Sequence, residues 1–190
     1  MTLEHLPIAR ALTATAIGAA TDLRTGHIPN WLTFGGLLLG PLLHFGLHLR
    51  EGIVAALEAS GFSVLGALAC ASVPLVLWMV DENAILPGDI KMIGAIGALL
   101  RPLVGVEATF YGFIAAALFA PARMAWEGKL LKTLGNTLSL VVNPFLPKEK
   151  RRKISSEMMT QMRFGPFIFA GVLGEAAMQW LAAAVSVAKK

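Results

Sequence analysis

The stretch PGDIKMIGAIGALL, residues 87–100, decides the fold of this chain. It contains an apolar run, Ile90–Leu100, that is short beside the roughly 20 residues of a spanning helix. If this run crosses a membrane, the chain before it and the chain after it lie on opposite sides. The number of crossings and the side on which every later loop lies therefore depend on this segment.

The rest of the composition is that of an integral membrane protein. Of the 190 residues, 56% are hydrophobic and only 15% are charged, and the mean hydropathy is +0.67. Soluble domains carry about 25% charged residues. Five further regions are long and apolar enough, or nearly so, to span: Leu6–Thr21, Trp31–Leu49, Gly61–Val80, Leu103–Pro121 and Phe164–Val187. The sequence predicts one all-α polytopic membrane domain, residues 1–190, with about six transmembrane helices.

The lysines and arginines predict the orientation. If all six segments cross, the loops Asp22–Asn30, Asp81–Lys91 and Ala122–Arg163 share one side. Of the 16 basic residues, 11 then lie on that side and 5 on the other. The 11 are Arg24, Lys91, Arg123, Lys129, Lys132, Lys148, Lys150, Arg151, Arg152, Lys153 and Arg163. The positive-inside rule makes these loops cytoplasmic, places both termini outside the cytoplasmic (inner) membrane, and explains the net charge of +4 without a nucleic-acid partner.

The predicted cytoplasmic loop 122–163 has two features of its own. Leu130, Leu134 and Leu138 recur at helical spacing, which predicts a helix lying at the membrane interface. The basic run Lys148–Lys153 is typical of an anchor that contacts anionic lipid. The lipid bilayer is therefore an expected partner of this loop.

Small residues predict where helices approach one another. Gly36 and Gly40 are four residues apart, as are Gly94 and Ala98. Such spacing lets two helix backbones pack closely in a membrane. We expect both pairs to serve helix packing.

Two aspartates lie at the ends of apolar segments. Asp22 ends the first segment and Asp89 begins the short one. Ionisable groups at membrane depth are costly and are functional candidates by default. Taken alone, each aspartate has an ordinary structural explanation. Asp22 would be a carboxylate exposed to water at a helix end, and Asp89 would be a helix N-cap. Together, on one side, two close carboxyl groups cannot both ionise easily, so one can act as base on a water and the other as acid.

The residues around the aspartates predict turns. Gly26 is expected to end the first helix, Pro29 to begin the second, and Asn30 to cap or turn the chain. Gly88 is expected to supply a tight turn before Asp89. Lys91 does not share the helix face of Asp89, and we expect it to reach the interface or to tune the site electrostatically.

Three blocks carry a resemblance to a known family: Asp22 with Ile28-Pro29-Asn30, then Gly88-Asp89-x-Lys91, then Phe164-Gly165-Pro166-Phe167 with Ala170-Gly171. In order and spacing they resemble the type IV prepilin peptidases and archaeal preflagellin peptidases, which are membrane aspartyl proteases named for a GxGD motif. The resemblance implies catalytic Asp22 and Asp89, supported by Gly88, Lys91, Pro29 and Asn30. It also implies a prepilin-like protein substrate with a short basic leader before an apolar helix, cut after the leader at the cytoplasmic face without a cofactor.

The chain departs from the family pattern in two respects. Leu86 stands where the motif has its first glycine, which raises the prospect of altered specificity or lost activity. Larger relatives also methylate the new N-terminus and carry paired CxxC motifs, whereas Cys70 is the single cysteine here. The resemblance is therefore to the minimal, peptidase-only form.

The sequence leaves two other functions open. Intramembrane carboxylates also serve proton relays, so a small proton-coupled transporter or channel component is one alternative. A non-catalytic homologue that acts in pilus assembly is the other, and Leu86 is its main support. His44 and His48 have metal-compatible spacing, but the sequence offers no evident third ligand, so we expect no metal site.

Overall fold

A computed structural model describes residues 6–80, 85–126, 128 and 163–188. These residues form six α-helices and one 3₁₀ turn, Leu49–Glu51, and they include no β-strand. The helices are α1 (Leu6–Thr25), α2 (Asn30–His48), α3 (Ile53–Val80), α4 (Pro87–Leu100), α5 (Pro102–Trp126) and α6 (Gly165–Ala188). The predicted all-α class is confirmed.

Four helices in the described part of the chain are long and apolar enough to cross a membrane. Their candidate spans are Asn30–Glu51, Ile53–Val80, Pro102–Arg123 and Gly165–Ser186. The other two helices are not among these candidate spans. α4 has only 14 residues, and α1 carries the charged residues Arg10 and Asp22. The protein is a polytopic membrane protein, and the short segment decisive for its topology is a separate helix.

Two helix ends differ from the prediction. α3 begins at Ile53 rather than Gly61, and α5 continues through Pro121 to Trp126, so residues 122–126 are helical rather than loop. The alanines, Arg123 and Met124 after Pro121 are strong helix formers and offset the hydrogen bond that a proline removes. The predicted interfacial helix and the basic run lie outside the described residues.

The described residues divide between two compact units. Those up to Ala115 and those from Arg163 onward form one unit, and 116–126 with 128 belong to the other. In the first unit α4 is the central element, because every residue from Met92 to Leu100 is buried. α1 packs mainly on α6, whereas α2 and α3 pack on α4 and on each other.

Glycines allow α2 and α3 to approach α4 at backbone distance. A Cβ added to Gly40 would lie 2.6 Å from the Ala98 carbonyl carbon, and one added to Gly36 would lie 2.8 Å from the Ala95 Cβ. The prediction that Gly36 and Gly40 form a helix contact is therefore confirmed. This packing fixes the axis of α4 against two helices, and hence the position of its first turn.

Candidate active site

The turn between α1 and α2 matches the prediction at Gly26, whereas α2 begins at Asn30 rather than at Pro29 and Asn30 does not cap it. Gly26 has φ +70° and its N–H donates to the Asp22 carbonyl oxygen at 2.8 Å, which ends α1. Pro29 precedes the first residue of α2 with φ −63° and ψ 136°. Asn30 begins α2 without capping it, and its side chain accepts a hydrogen bond from Lys91 Nζ at 3.2 Å. The rigid turn holds the last turn of α1 against the start of α2.

The start of α4 corrects one prediction. α4 begins at Pro87, whose missing N–H is harmless in a first turn, and Asp89 is its third residue. Gly88 therefore does not form a tight turn; it is helical and is not among the positive-φ glycines. A Cβ at Gly88 would meet the Ile28 Cβ at 3.7 Å, an ordinary contact. The position of Asp89 therefore depends on the start of α4 at Pro87 and not on the backbone flexibility of Gly88.

Asp22 and Asp89 line the same cavity. Their exposures are 2% and 3%, so both carboxyl groups are withdrawn from bulk solvent. The cavity has a volume of about 420 Å³ and is formed by the end of α1, the turn after it, and the starts of α2 and α4. Its lining consists of Thr21, Asp22, Thr25, Gly26, His27, Ile28, Pro29, Asn30, Leu86, Pro87, Gly88, Asp89 and Lys91. All six residues that the sequence singled out as a site lie around this one space.

The two carboxyl groups act on each other electrostatically. Asp89 stands in the first turn of α4, outside the four apolar spans. Burial raises the pKa of Asp89, and the neighbouring charge of Asp22 raises it further, to about 7. An aspartic acid that keeps its proton near neutral pH beside a second carboxylate has the asymmetry that acid–base catalysis requires.

Asp22 is held by a different element. Its Oδ2 accepts a hydrogen bond of 3.0 Å from the backbone N–H of Gly165, the first residue of α6. The first N–H groups of a helix lack partners within the helix and lie at the positive end of its dipole, so a carboxylate is well suited there. α6 therefore orients the Asp22 carboxylate in the cavity.

The profile of the type IV leader peptidase family matches residues 10–121, which is more than half of the chain and includes both aspartates. The chain belongs to the type IV leader peptidase family. No curated protein and no solved structure matches the sequence.

The residues of α6 that contact Asp22 lie outside the part of the chain that matches the family. A Cβ at Gly165 would lie 2.8 Å from both the Cβ and Oδ2 of Asp22, so any larger residue displaces the carboxylate. Sequence reasoning placed Gly165 only within a block resembling the family and gave it no role. Its one sequence signal was its place in Phe164-Gly165-Pro166, where a proline follows a glycine at a helix start.

Arg163 was also missed as a site residue. Its guanidinium Nη1 donates to the Leu23 carbonyl oxygen in the last turn of α1. A cation there complements the carbonyl end of the helix dipole. The adjacent Phe164 ring packs against Phe113, with centroids 5.1 Å apart. Arg163 thus ties the chain before α6 to the turn of α1 that carries Asp22, and Phe164 ties it to α5.

Lys91 lies at the rim of the cavity. Besides its hydrogen bond to Asn30, its ammonium lies 5.2 Å from the centre of the Phe34 ring, which places it against the start of α2. Within the described residues it forms no ion pair with either aspartate. The described residues also contain no cluster of three or more His, Cys, Asp or Glu side chains suited to a metal ion.

Proposed function

We propose that this leader peptidase is a membrane aspartyl endopeptidase that cleaves the leader peptide of a prepilin-like protein at the cytoplasmic face of the inner membrane. The observation that carries the proposal is the placement of two buried carboxyl groups, from α1 and α4, around one cavity. The charge of one acts on the other, as in a dyad that shares a proton. Such chemistry needs water and no cofactor.

In this mechanism Asp22 is the base and Asp89 the acid. Asp22 takes a proton from a water molecule as its oxygen attacks the carbonyl carbon of the scissile peptide, and Asp89 gives its proton to the carbonyl oxygen. Collapse of the tetrahedral intermediate breaks the C–N bond. The departing nitrogen receives a proton from Asp22, and a hydroxyl group of the intermediate returns a proton to Asp89 as the C=O bond re-forms. One water is consumed, and a leader carboxylate and a new N-terminal amine are formed. The raised pKa of Asp89 and the Gly165 N–H on Asp22 support this assignment.

The charges at the two ends of the helices support a cytoplasmic site. Arg24, Lys91 and Arg163 lie at the end of the unit that contains the cavity. Most basic residues of the chain lie in the loops predicted for this side, as is typical of cytoplasmic loops. A basic leader peptide would also be presented from this compartment.

The backbone at Leu86 supports an active enzyme over a non-catalytic homologue. Leu86 has φ −74° and ψ 141°, an extended conformation that any residue adopts. Leucine in place of the motif glycine therefore introduces no backbone strain. A transporter is less well supported, because both carboxyl groups lie together at helix ends in a single cavity.

The direct test uses purified protein and a prepilin with its leader. Asn matches Asp in shape and cannot take or give the catalytic proton. We expect Asp22→Asn and Asp89→Asn each to lower the cleavage rate by at least about 10²–10⁴-fold while the protein remains folded. Mass spectrometry of the products locates the cut. Near-normal cleavage by either variant would disprove the dyad, and the absence of cleavage by the parent protein would disprove the function.

A further inference from the structure

A second cavity opens between α1 and α2. It also has a volume of about 420 Å³. Its lining consists of Ala9, Arg10, Thr13, Ala14 and Ile17 of α1, Trp31, Leu32, Gly35, Gly36 and Leu39 of α2, and Leu99 of α4. It exists because α1 packs mainly on α6 and α2 on α3 and α4, so the two helices of the hairpin diverge. We call this cavity the α1/α2 groove.

The α1/α2 groove and the catalytic cavity are neighbours along both helices of the hairpin. Ile17 in the groove lies one helical turn before Thr21, and Trp31 follows Asn30; Thr21 and Asn30 both line the catalytic cavity. From Ile17 back to Ala9, and from Trp31 to Leu39, the walls extend about 12 Å, or two turns of a helix. A chain that leaves the catalytic cavity along the membrane would enter this groove.

Apart from Arg10 and Thr13, the lining of the groove is apolar, which suits a helix of apolar residues. Ala9, Ala14 and Gly35 are small, and small residues let a second helix backbone approach closely in a membrane. Among the described residues, no atom outside the neighbouring backbone of α2 lies within 4 Å of a Cβ built on Gly35, so the wall is open there. Ile17, Trp31 and Leu39 are 38%, 67% and 53% exposed and offer apolar contact to an occupant.

We propose that the α1/α2 groove binds the apolar helical segment that follows the scissile bond of the substrate. The inference rests on the proposed function, since it takes the peptide to be cut beside Asp22 and Asp89. The groove then provides affinity for the membrane segment of the substrate, and the dyad provides the chemistry. Substrate choice depends in part on how closely that segment packs on Gly35.

One arm of the test measures cleavage of two substrates by the full-length protein in detergent. The first is a prepilin that keeps its apolar segment, and the second is a soluble peptide that covers the cleavage site alone. Outside the neighbouring backbone of α2, the Cβ of Gly35→Leu meets no atom of the described residues within 4 Å, and its side chain adds bulk to the wall of the groove. We expect it to raise KM for the prepilin about tenfold or more and to leave cleavage of the short peptide within twofold. An unchanged KM for the prepilin, or an equal loss with both substrates, would refute the groove.

The matched control is Gly61→Leu on α3. Gly61 is also open, with nothing within 4 Å of a built Cβ, and it does not line the groove. It therefore adds the same side chain and the same gain in helix propensity elsewhere on the surface. We expect it to leave both reactions unchanged.

The second arm is independent of catalysis. A photo-reactive residue at Leu39 should crosslink to the apolar segment of the prepilin, whereas one at Leu68, 64% exposed on α3, should not. This holds whether or not the prepilin is cut, so a failure of the proposed function is distinguishable from a failure of the groove. Crosslinks from Leu39 only to lipid, or only to a second copy of the protein, would overturn the proposal.

Discussion

The two ends of α4 have different surroundings. At its C-terminal end, Ser63 of α3 donates to the Ala98 carbonyl oxygen at 2.5 Å, and the His44 ring of α2 contacts the Leu99 carbonyl oxygen at 2.8 Å. At its N-terminal end, the first turn opens onto a cavity and carries a buried carboxyl group. The closed end satisfies its backbone groups, which a membrane interior requires. At the open end a buried carboxyl group lines a cavity.

Under the proposed function, the C-terminal end of α4 serves packing and its N-terminal end carries a catalytic residue. Packing at the closed, C-terminal end determines where the axis of α4 lies. The position of the first turn, at the open end, follows from that axis. Substitutions at the closed end should therefore change folding, whereas those at the open end should change cleavage by folded molecules. The largest loss of cleavage is expected for Asp22→Asn and Asp89→Asn, and the variants below are expected to have smaller effects.

Gly66→Ala tests the closed end. A Cβ on Gly66 would lie 2.8 Å from the Arg101 carbonyl carbon and 2.9 Å from the Gly97 carbonyl carbon, and backbone atoms cannot rotate away. We expect the free energy of unfolding in detergent to fall by about 1–3 kcal/mol or more. Cleavage per folded molecule should be preserved. Gly61→Ala on the same helix is the control and should not destabilise, because its Cβ meets nothing. Equal stability of the two variants would contradict the packing account.

Gly165→Ala tests whether α6 positions Asp22. The added methyl carbon would lie 2.8 Å from the Asp22 Oδ2 and would push the carboxylate from its hydrogen bond. We expect kcat to fall about 10–100-fold with little change in KM, which corresponds to roughly 1.4–2.8 kcal/mol in the barrier. Gly174→Ala, whose Cβ would meet only Tyr111 at 3.8 Å, should leave kcat unchanged. Full activity of Gly165→Ala would show that Asp22 does not depend on α6.

The pH dependence of stability tests the environment of Asp89. With its pKa raised to about 7, Asp89 keeps a proton in the folded protein at pH values where the unfolded chain has lost it. The folded state binds more protons, so stability falls as pH rises from about 4 to about 7. Asp89→Asn should weaken that fall and be more stable than the parent at pH 7.5. Thermal unfolding of both proteins across this range measures the effect, and parallel curves would contradict the burial of an ionisable Asp89.

The motif positions before Asp89 should matter least. Leu86 is extended and Gly88 is an ordinary helical residue whose added Cβ would have normal contacts. We expect Leu86→Gly and Gly88→Ala each to leave prepilin cleavage within about tenfold, a barrier change of ~1.4 kcal/mol. A gain well above tenfold from Leu86→Gly would show that the natural leucine impairs the enzyme. Abolished cleavage in Gly88→Ala would show that substrate itself approaches that glycine.

Much of the fold was readable from composition and spacing. Long apolar runs indicate membrane helices whatever their partners, because the cost of exposing backbone groups to lipid is local. The turn at Gly26 and Pro29 was predictable for the same reason, since positive φ and a fixed φ are properties of single residues. Helix ends were less predictable, as at Pro121, where tertiary context and neighbouring helix formers outweigh the proline.

The site was predictable only in part. The sequence by itself determined that Asp22 and Asp89 stand at the ends of apolar segments. An unpaired charge there costs free energy, which made both residues candidates for a functional role. Only the tertiary structure decided that Gly165, 143 residues after Asp22, donates its N–H to that carboxylate, and that Gly88 is helical. The reason is physical: the cost of burying a charge depends on residue type and segment, whereas a hydrogen bond between distant residues depends on how helices pack. That packing rests on backbone contacts at glycines such as Gly40 and Gly66, whose partners no spacing along the chain reveals.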